Sequence, residues 1–421
     1  MVMTALRPFP NPISVPDSLE LLGASPMTLA AAAQLVGPHQ RGIPPKLIED
    51  FVNNVFGEDL HAKRVLSLVN GVIGVLHSAS LAIHAVGRGL AMAKGGLDKH
   101  TVKQVDRFLS NRGIELDVLG PMWIHFVLAS RKRVFINLDW TEFDGDDHSM
   151  LVASVQTEHG RSTPLLWKTV NKSQLKGKRN DHEDEMMRTL REAIADDVQV
   201  IIVADRGFAD QKFFAFLLEE LRFDYIIRFK SNTTVTSAKG ESRAAKDWVG
   251  KNGRMRRLKD ATLTADGLHV PQVMVVQDKG MKEVWCIATS LRTITGTQLK
   301  TRYGKRFSCE EMFRDIKDIR FGMGLSWTHI KRTDRRDRLF LLAVLAFALL
   351  VLLGAAGESL GMDKQLKTTT KPGRQYSLFR QGMRWFELLP WIDDNRARPL
   401  LQRFGEMLQA HAVFRAPFGV L

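Results

Sequence analysis

The chain has 421 residues, of which 44% are hydrophobic, a share that is ordinary for a globular protein and excludes a largely disordered one. Its 60 basic and 46 acidic residues give a net charge of +14, which indicates an acidic partner, either a nucleic acid or an anionic membrane surface. The two cysteines, Cys286 and Cys309, support neither a disulfide framework nor a zinc site, so we expect a reducing cytoplasm.

Two segments precede the first predicted strand. Residues 1–45 hold eight of the fifteen prolines, which predicts an extended arm. Residues 46–129 show the 3.6-residue spacing of apolar side chains and are predicted to form a helical DNA-binding region. Its basic side chains fit phosphate contacts and a solvated helix face equally well. They include Lys99, Lys103, Arg107 and Arg112.

Residues 130–230 predict an α/β domain with a mixed sheet, because three strands, a helix, a strand, a helix and a fifth strand follow one another. Val134–Leu138 and Val198–Ala204 are short apolar strands, and Asp139 and Asp205 directly follow them. Ligand sites of α/β sheets lie at the carboxyl ends of strands. Both aspartates are therefore candidate ligands.

Residues 231–299 are predicted to be a β-rich, basic insertion into this domain. Residues 228–260 carry ten lysines or arginines against three acidic residues, a density that favours a phosphate-binding surface over a merely solvated loop. The expected contacts with a nucleic-acid backbone are Arg254, Arg256 and Arg257.

A helix is predicted to begin after this insertion. Ser308-Cys-Glu-Glu311 fits a capping box, which places Glu310 in the first helical turn. Arg314 and Lys317 follow four and seven residues after Glu310, so they share its face of the helix.

The next segment is a run of nineteen uncharged residues, Leu339–Gly357. This length would suffice to span a membrane. A helix in the centre of a globular fold can be equally apolar on all sides. Because charged residues directly precede the run within a globular pattern, we predict that it is buried in the protein. Residues 373–421 are predicted to form a C-terminal helical region.

Three carboxylates spread along the chain are candidate metal ligands, namely Asp139, Asp205 and Glu310. Hard cations prefer oxygen ligands, and phosphodiester cleavage and transfer use two Mg²⁺ ions about 4 Å apart. Each residue alone has a simpler explanation, because an aspartate after a strand commonly caps a turn and a glutamate in a first helical turn complements the helix dipole. A second acidic cluster is interpreted as a solvated loop. It consists of Asp144, Asp146 and Asp147.

The sequence around these carboxylates resembles the DDE transposases of bacterial insertion sequences, in particular the cut-and-paste class with a Y-R-E-K signature. Every interval of that signature is matched by Tyr303, Arg306, Glu310 and Lys317. NLDWT at Asp139 and VADRGFAD at Asp205 are similar to the other two motifs of the family. The resemblance implies an RNase H-like core in residues 130–230 and 300–372, with the β-rich insertion between its two parts.

The resemblance also implies roles for individual residues. Asp139, Asp205 and Glu310 are expected to be catalytic and to bind two Mg²⁺ ions, for which Mn²⁺ can substitute. Trp285 is expected to stack on an extruded base, and a core position on its strand is the alternative. Glu311 is a rival to Glu310, but it lies about 100° around the helix and breaks the interval. The residues expected to bind DNA are Tyr303, Arg306, Lys317, Trp285, Arg314, Arg254, Arg256 and Arg257.

The resemblance therefore predicts a DNA transposase that cleaves double-stranded DNA at terminal inverted repeats through a hairpin intermediate and transfers the strand into target DNA. It implies a homodimer in the synaptic complex, action on the nucleoid in the bacterial cytoplasm and no membrane partner. Two alternatives stay open: an RNase H-like nuclease without strand transfer, and a catalytically idle DNA-binding derivative of a transposase. Tyr303, Arg306 and Lys317 argue against the first, and the three carboxylates argue against the second.

Overall fold

The structure is a computed structural model that describes residues 42–409, except for residues 59, 130, 265–266 and 371. The predicted arm lies outside the described residues apart from residues 42–45, and so does the end of the predicted C-terminal region, residues 410–421.

Five helices precede the sheet in the described part of the chain. Each buries an apolar stripe of its own, in line with the helical spacing of the sequence. They are α1 (Pro45–Phe56), α2 (Ala62–Ser78), α3 (Ile83–Lys94), α4 (Asp98–Ser110) and α5 (Leu116–Leu128).

The centre of the molecule is a mixed sheet of ten strands. In the sheet the strands follow the order β3-β2-β1-β4-β5-β10-β9-β8-β6-β7. Strands β1, β4 and β5 are parallel, while β2 and β10 run antiparallel to their neighbours. This mixed sheet with helices at both ends of the chain confirms the predicted α/β class. The strands are β1 (Arg133–Phe143), β2 (His148–Val155), β3 (Thr163–Asn171), β4 (Gln199–Ala204), β5 (Asp224–Arg228), β6 (Thr234–Thr236), β7 (Ser242–Ala244), β8 (Arg256–Leu263), β9 (Leu268–Val276) and β10 (Trp285–Thr289).

The segment predicted as a β-rich insertion extends the central sheet and does not form a sheet of its own. Strand β10 pairs with β5 on one side and with β9 on the other. Strands β8, β6 and β7 continue outward from β9. The insertion therefore shares backbone hydrogen bonds with the core, which joins the two rigidly.

Eight further helices in the described part of the chain follow β3, and one of them, α10, is very apolar. They are α6 (Arg179–Ala193), α7 (Gln211–Ala215), α8 (Gly296–Gly304), α9 (Phe307–Lys317), α10 (Thr333–Ser359), α11 (Asp363–Leu366), α12 (Leu378–Leu388) and α13 (Asp394–Gln409). Among the described helices, α10 alone is by itself long and apolar enough to cross a membrane, and its most apolar window is 100% buried inside the protein. It packs on α12, α13, α2 and β3. The prediction of a buried core helix is confirmed.

Glycine permits the closest of these packings. A Cβ atom at Gly354 of α10 would lie 1.9 Å from the carbonyl oxygen of Leu378, far inside van der Waals contact. Helices α10 and α12 therefore approach each other backbone to backbone at this point, which only glycine allows.

The acidic turn between β1 and β2 differs from the predicted solvated loop at one of its three aspartates, Asp146. The side chain of Asp146 is only 6% exposed and forms an ion pair with Arg336, which is fully buried in α10. Arg336 also donates a hydrogen bond to His148 Nδ1 at 2.9 Å. Asp144 and Asp147 fit the prediction, because both are exposed: Asp144 pairs with Lys172 and Asp147 accepts hydrogen bonds from Ser173 on the surface. The turn is therefore anchored to the core helix by a buried arginine.

Candidate active site

Asp139 and Asp205 leave two neighbouring parallel strands at the same edge of the sheet. The parallel pairing of β1 with β4 ends at Leu138 opposite Ala204, so the next residue on each strand is one of the aspartates. Strand β1 does not end at Leu138 as predicted. It continues to Phe143 because β2 pairs with it antiparallel along that whole stretch.

The carboxylate of Asp205 is held by the turn that follows it. Its Oδ1 accepts a hydrogen bond from the backbone N–H of Gly207 at 2.8 Å. The other carboxylate oxygen has no hydrogen-bond partner among the described residues. Asp205 thus caps its turn and still offers an oxygen to a ligand.

Arg306 connects the remaining two carboxylates. Its guanidinium lies 3.3 Å from Asp139 Oδ2 and 2.5 Å from Glu310 Oε1. The arginine side chain is 8% exposed, whereas that of Glu310 is 51% exposed. Burial raises the pKa of Asp139 to about 6, and Arg306 opposes this shift, while the nearby Asp205 and Glu310 add to it. The three carboxylates are therefore electrostatically coupled around one arginine.

Glu310 lies in the first turn of α9, as predicted, but the predicted capping box does not form. Helix α8 begins with a capping box of its own, made by Thr295 and Gln298, and the chain passes from α8 to α9 with only two residues between them. The N–H of Ser308 consequently bonds to the carbonyl of Lys305 at 3.0 Å. The first N–H groups of α9 thus find partners in the preceding turn, which makes a side-chain cap unnecessary.

Tyr303 and Lys317 of the signature engage the protein itself. Tyr303 is 1% exposed and packs in a hydrophobic cluster with side chains of β1, β4, β5, β9 and β10. Lys317 Nζ donates hydrogen bonds of 2.7 Å to Thr141 Oγ1 and to the carbonyl oxygen of Glu142. Burial lowers the pKa of Lys317 to about 8. The hydrogen bonds of Lys317 therefore link helix α9 to the end of β1.

Aromatic rings lie beside Arg306. Trp285 is half-buried, meets Tyr303 edge-on with ring centroids 4.9 Å apart, and stacks on Phe307 at 6.1 Å with an interplanar angle of 27°. Phe307 is 42% exposed and lies 5.1 Å from the Arg306 guanidinium carbon. Phe307 was not among the predicted site residues, because its exposure is visible only in the structure.

A fourth carboxyl group near Asp139 was also missed. Glu183 of α6 is 4% exposed and accepts a hydrogen bond of 2.7 Å from the indole of Trp140, the residue after Asp139. Burial raises the pKa of Glu183 to about 7. Its helix is rich in charged residues, so no local pattern in the sequence distinguishes Glu183 from its neighbours. Glu183 fixes the strand that carries Asp139.

The remaining candidates do not contact the carboxylates among the described residues. Arg314 pairs with Glu311 on the outer face of α9. Arg257 donates hydrogen bonds to Gln272 Oε1 and, at 2.8 Å, to the carbonyl oxygen of Ile294. These bonds link β8 to β9 and to the segment before α8. Arg256 is exposed and lies 5.6 Å from the ring of Trp248.

The donor set fits a hard divalent cation, because all three side chains offer carboxylate oxygens. Within the described part of the chain, however, no three acidic, histidine or cysteine side chains stand close enough together to hold a metal ion as they are. The guanidinium of Arg306 takes the place of a cation between Asp139 and Glu310. A metal ion bound by all three carboxylates would require Glu310, which is half-exposed, to turn away from Arg306.

A mixed sheet with helices at both ends of the chain, and with carboxylates at its parallel edge beside α9, is consistent with an RNase H-like core. Residues 167–349 match the family model of the transposase DDE domain. This match covers less than half of the chain, and it supports an insertion-sequence DDE transposase. The match contains Asp205 and Glu310 and begins after Asp139, which the strand register places beside Asp205. No curated protein matches the chain.

Proposed function

We propose that this transposase cleaves DNA at the ends of its mobile element and joins the freed ends to target DNA, with Asp139, Asp205 and Glu310 as ligands of two Mg²⁺ ions. The observation that carries the proposal is the meeting of β1, β4 and α9 at one sheet edge, where Arg306 links Asp139 to Glu310. A structural role alone does not account for a buried arginine that pairs with two carboxylates from separate elements, one of which is half-exposed.

Bound Mg²⁺ ions, for which Mn²⁺ can substitute, would activate water or a 3′-hydroxyl and stabilise the leaving oxygen. Asp139 is held by its strand and Asp205 by its hydrogen bond to Gly207, so both offer oxygens from fixed positions. Glu310 completes the set by leaving Arg306. The freed guanidinium then presents its planar fork of N–H groups to a phosphate of the bound strand.

The hairpin step is part of the proposal. Trp285 and Phe307 supply an aromatic surface next to the arginine, and the open side of Phe307 faces solvent. A base that leaves the double helix when the strand bends can stack on such a surface. Tyr303 supports Trp285 from within the core and has no free face for DNA.

The partner of this site is double-stranded DNA, both the terminal inverted repeats and the target. Two ends must be held together for transposition, so we propose a homodimer in the synaptic complex, acting on the nucleoid in the bacterial cytoplasm. The helical region of residues 46–129 and the exposed Arg256 and Arg314 supply the positive charge for the DNA backbone.

The test is Mg²⁺-dependent nicking of a labelled duplex that carries the inverted repeats flanking the coding region. We expect Asp139→Asn, Asp205→Asn and Glu310→Gln each to abolish nicking and to retain binding of the duplex. Glu311→Gln is the matched control, because Glu311 is the next residue of the same helix and pairs with Arg314 on the outside. Nicking at the wild-type rate by Glu310→Gln would contradict the proposal, and loss of nicking in Glu311→Gln would reassign the ligand.

A further inference from the structure

The sheet edge that carries the two aspartates continues with an arginine on the next strand. The parallel register of β4 and β5 places Asp205 and Arg228 side by side, each one residue beyond the last pair of the register. Strand β5 lies on the opposite side of β4 from β1, which carries Asp139. Arg228 therefore flanks the candidate metal ligands on the side of the sheet extension.

Two arginines at this place bind the same carboxylate oxygen. Arg206, which directly follows Asp205, lies 3.2 Å from Glu283 Oε2, and Arg228 lies 2.5 Å from the same atom. In the part of the chain that the structure describes, no other carboxylate pairs with either arginine. The hydrogen bond from Arg228 and the charges of both arginines lower the pKa of Glu283, so its carboxylate is ionised at neutral pH.

Stability of the fold does not explain this convergence of two arginines. The side chains of Arg206 and Glu283 are each 54% exposed, and exposed ion pairs contribute little to folding. The strands on either side need no further connection, because β5 and β10 already pair through their backbones. The two guanidinium groups are instead held next to each other at the surface by an acidic group that belongs to the protein.

The position of this group is close to the aromatic surface described above. Glu283 lies two residues before Trp285, the first residue of β10. Burial raises the pKa of Tyr303, and the charges of Arg306 and Arg228 oppose that shift, so Arg228 acts on the same ring as the signature arginine. Carboxylates and phosphates both present charged oxygens to which a guanidinium donates hydrogen bonds. The carboxylate of Glu283 therefore stands where a phosphate could bind.

We propose that Arg206 and Arg228 form a binding site for one phosphate group of the DNA strand, and that Glu283 occupies this site until DNA displaces it. The phosphate is assigned to the nucleotide whose base stacks on Trp285 and Phe307, because Glu283 directly precedes that strand. Glu283 thus acts as an internal competitor of DNA. This inference rests on the proposed function, since it requires a DNA strand at the carboxylate edge of the sheet.

The test is the affinity of the full chain for a labelled duplex that carries the inverted repeats, measured by fluorescence anisotropy without divalent metal. Glu283→Gln keeps the size of the side chain and removes its charge. We expect it to bind the duplex about 2- to 5-fold more tightly than the wild type at low salt. The gain should shrink as the salt concentration rises, because salt screens exposed charges.

Glu241→Gln is the matched control. Glu241 is also exposed and pairs with an arginine, Arg243, but it lies at β7, the outermost strand of the sheet. The control variant removes the same charge from the protein and should bind the duplex as the wild type does. Thermal unfolding of each variant, followed by circular dichroism, checks that the fold is retained.

A second arm removes the two arginines together. Arg206→Gln combined with Arg228→Gln should reduce the slope of affinity against salt concentration, both on logarithmic scales, by about one unit for the phosphate contact that is lost. Adding Glu283→Gln to this double variant should leave the affinity unchanged, because the carboxylate then has no arginine to occupy. This non-additivity is the signature of direct competition at one site.

The proposal is overturned if Glu283→Gln binds no more tightly than the wild type. It is also overturned if the gain persists without the two arginines, or if Glu241→Gln shows the same gain, because the carboxylate would then act only through net charge. Glu310→Gln separates this proposal from the catalytic one. In that background Glu283→Gln should raise the affinity by the same factor, whether or not nicking depends on Glu310.

Discussion

Replacing Trp285 tests whether the aromatic surface beside Arg306 serves hairpin formation. Hairpin formation bends one strand sharply, so a base at the tip must leave its stack, which costs on the order of a few kcal/mol. Nicking requires no such distortion. In the structure, Trp285 stacks on Phe307 and meets Tyr303 edge-on. We therefore expect Trp285→Ala to nick normally and to stall before the hairpin.

The size of the effect follows from the stacking that alanine cannot provide. Stacking of one base on an aromatic side chain contributes about 1–3 kcal/mol, which corresponds to about 5- to 150-fold in the rate of hairpin formation. Phe307→Ala should give an effect of the same kind, because this ring is the exposed member of the stack. Trp285→Phe keeps an aromatic face and should recover most of the rate.

The assay is a time course on denaturing gels with an end substrate labelled on the nicked strand. Accumulation of nicked DNA with few hairpins is the expected result for Trp285→Ala. A parallel decline of nicking and hairpin formation would refute the reasoning, because it would mean that Trp285 only supports the core through Tyr303. Thermal unfolding of each variant, followed by circular dichroism, serves as the control for folding.

Three further predictions concern charge. Arg336→Met should lower the free energy of unfolding by about 3–5 kcal/mol, measured by chemical denaturation, because it leaves the buried carboxylate of Asp146 without its partner. An unchanged free energy of unfolding would mean that water reaches the turn between β1 and β2. Burial lowers the pKa of Lys317 to about 8 from 10.5, so between these pH values the unfolded chain binds more protons than the folded one. The stability of the wild type relative to Lys317→Met should therefore rise as the pH increases from about 8 to 10. A stability difference that does not change with pH would mean that the amine is in contact with water. Neutralising Arg254 and Arg256 together should reduce the slope of DNA affinity against salt concentration, both on logarithmic scales, by about one unit for each phosphate contact that is lost. Arg257→Gln should chiefly destabilise the sheet. An unchanged slope would mean that strands β6 to β10 do not contact DNA.

The sequence predicted the elements near the site well, because their signals are local. Val134–Leu138 and Val198–Ala204 are apolar runs that end in an aspartate, and both lie in strands of the central sheet. The uncharged run of α10 was predicted to be buried for the same kind of reason, and it is. Helix starts were predicted less well. The Ser308–Glu311 pattern looked like a cap, yet α8 had already supplied the turn before it.

The errors at the site concern burial and partners, which depend on residues that are distant in the chain. Asp146 looked solvated until Arg336 of α10 packed against it. Lys317 has the spacing of a phosphate contact, but in the structure it donates to the end of β1. Phe307 gave no periodic signal that distinguished it from a core residue. No local pattern reveals which of two neighbouring aromatic side chains will remain exposed.

By itself the sequence determined the chemistry of this protein: the order of strands and helices, the excess of positive charge, and the three acidic side chains that follow or begin particular elements. Only the tertiary structure decided their relations. The parallel pairing of β1 with β4 makes Asp139 and Asp205 neighbours, and the packing of α9 brings Arg306 between Asp139 and Glu310. The physical reason is that periodicity and capping act within a few residues, whereas strand register, burial and ion pairing are set by contacts between elements far apart in the chain.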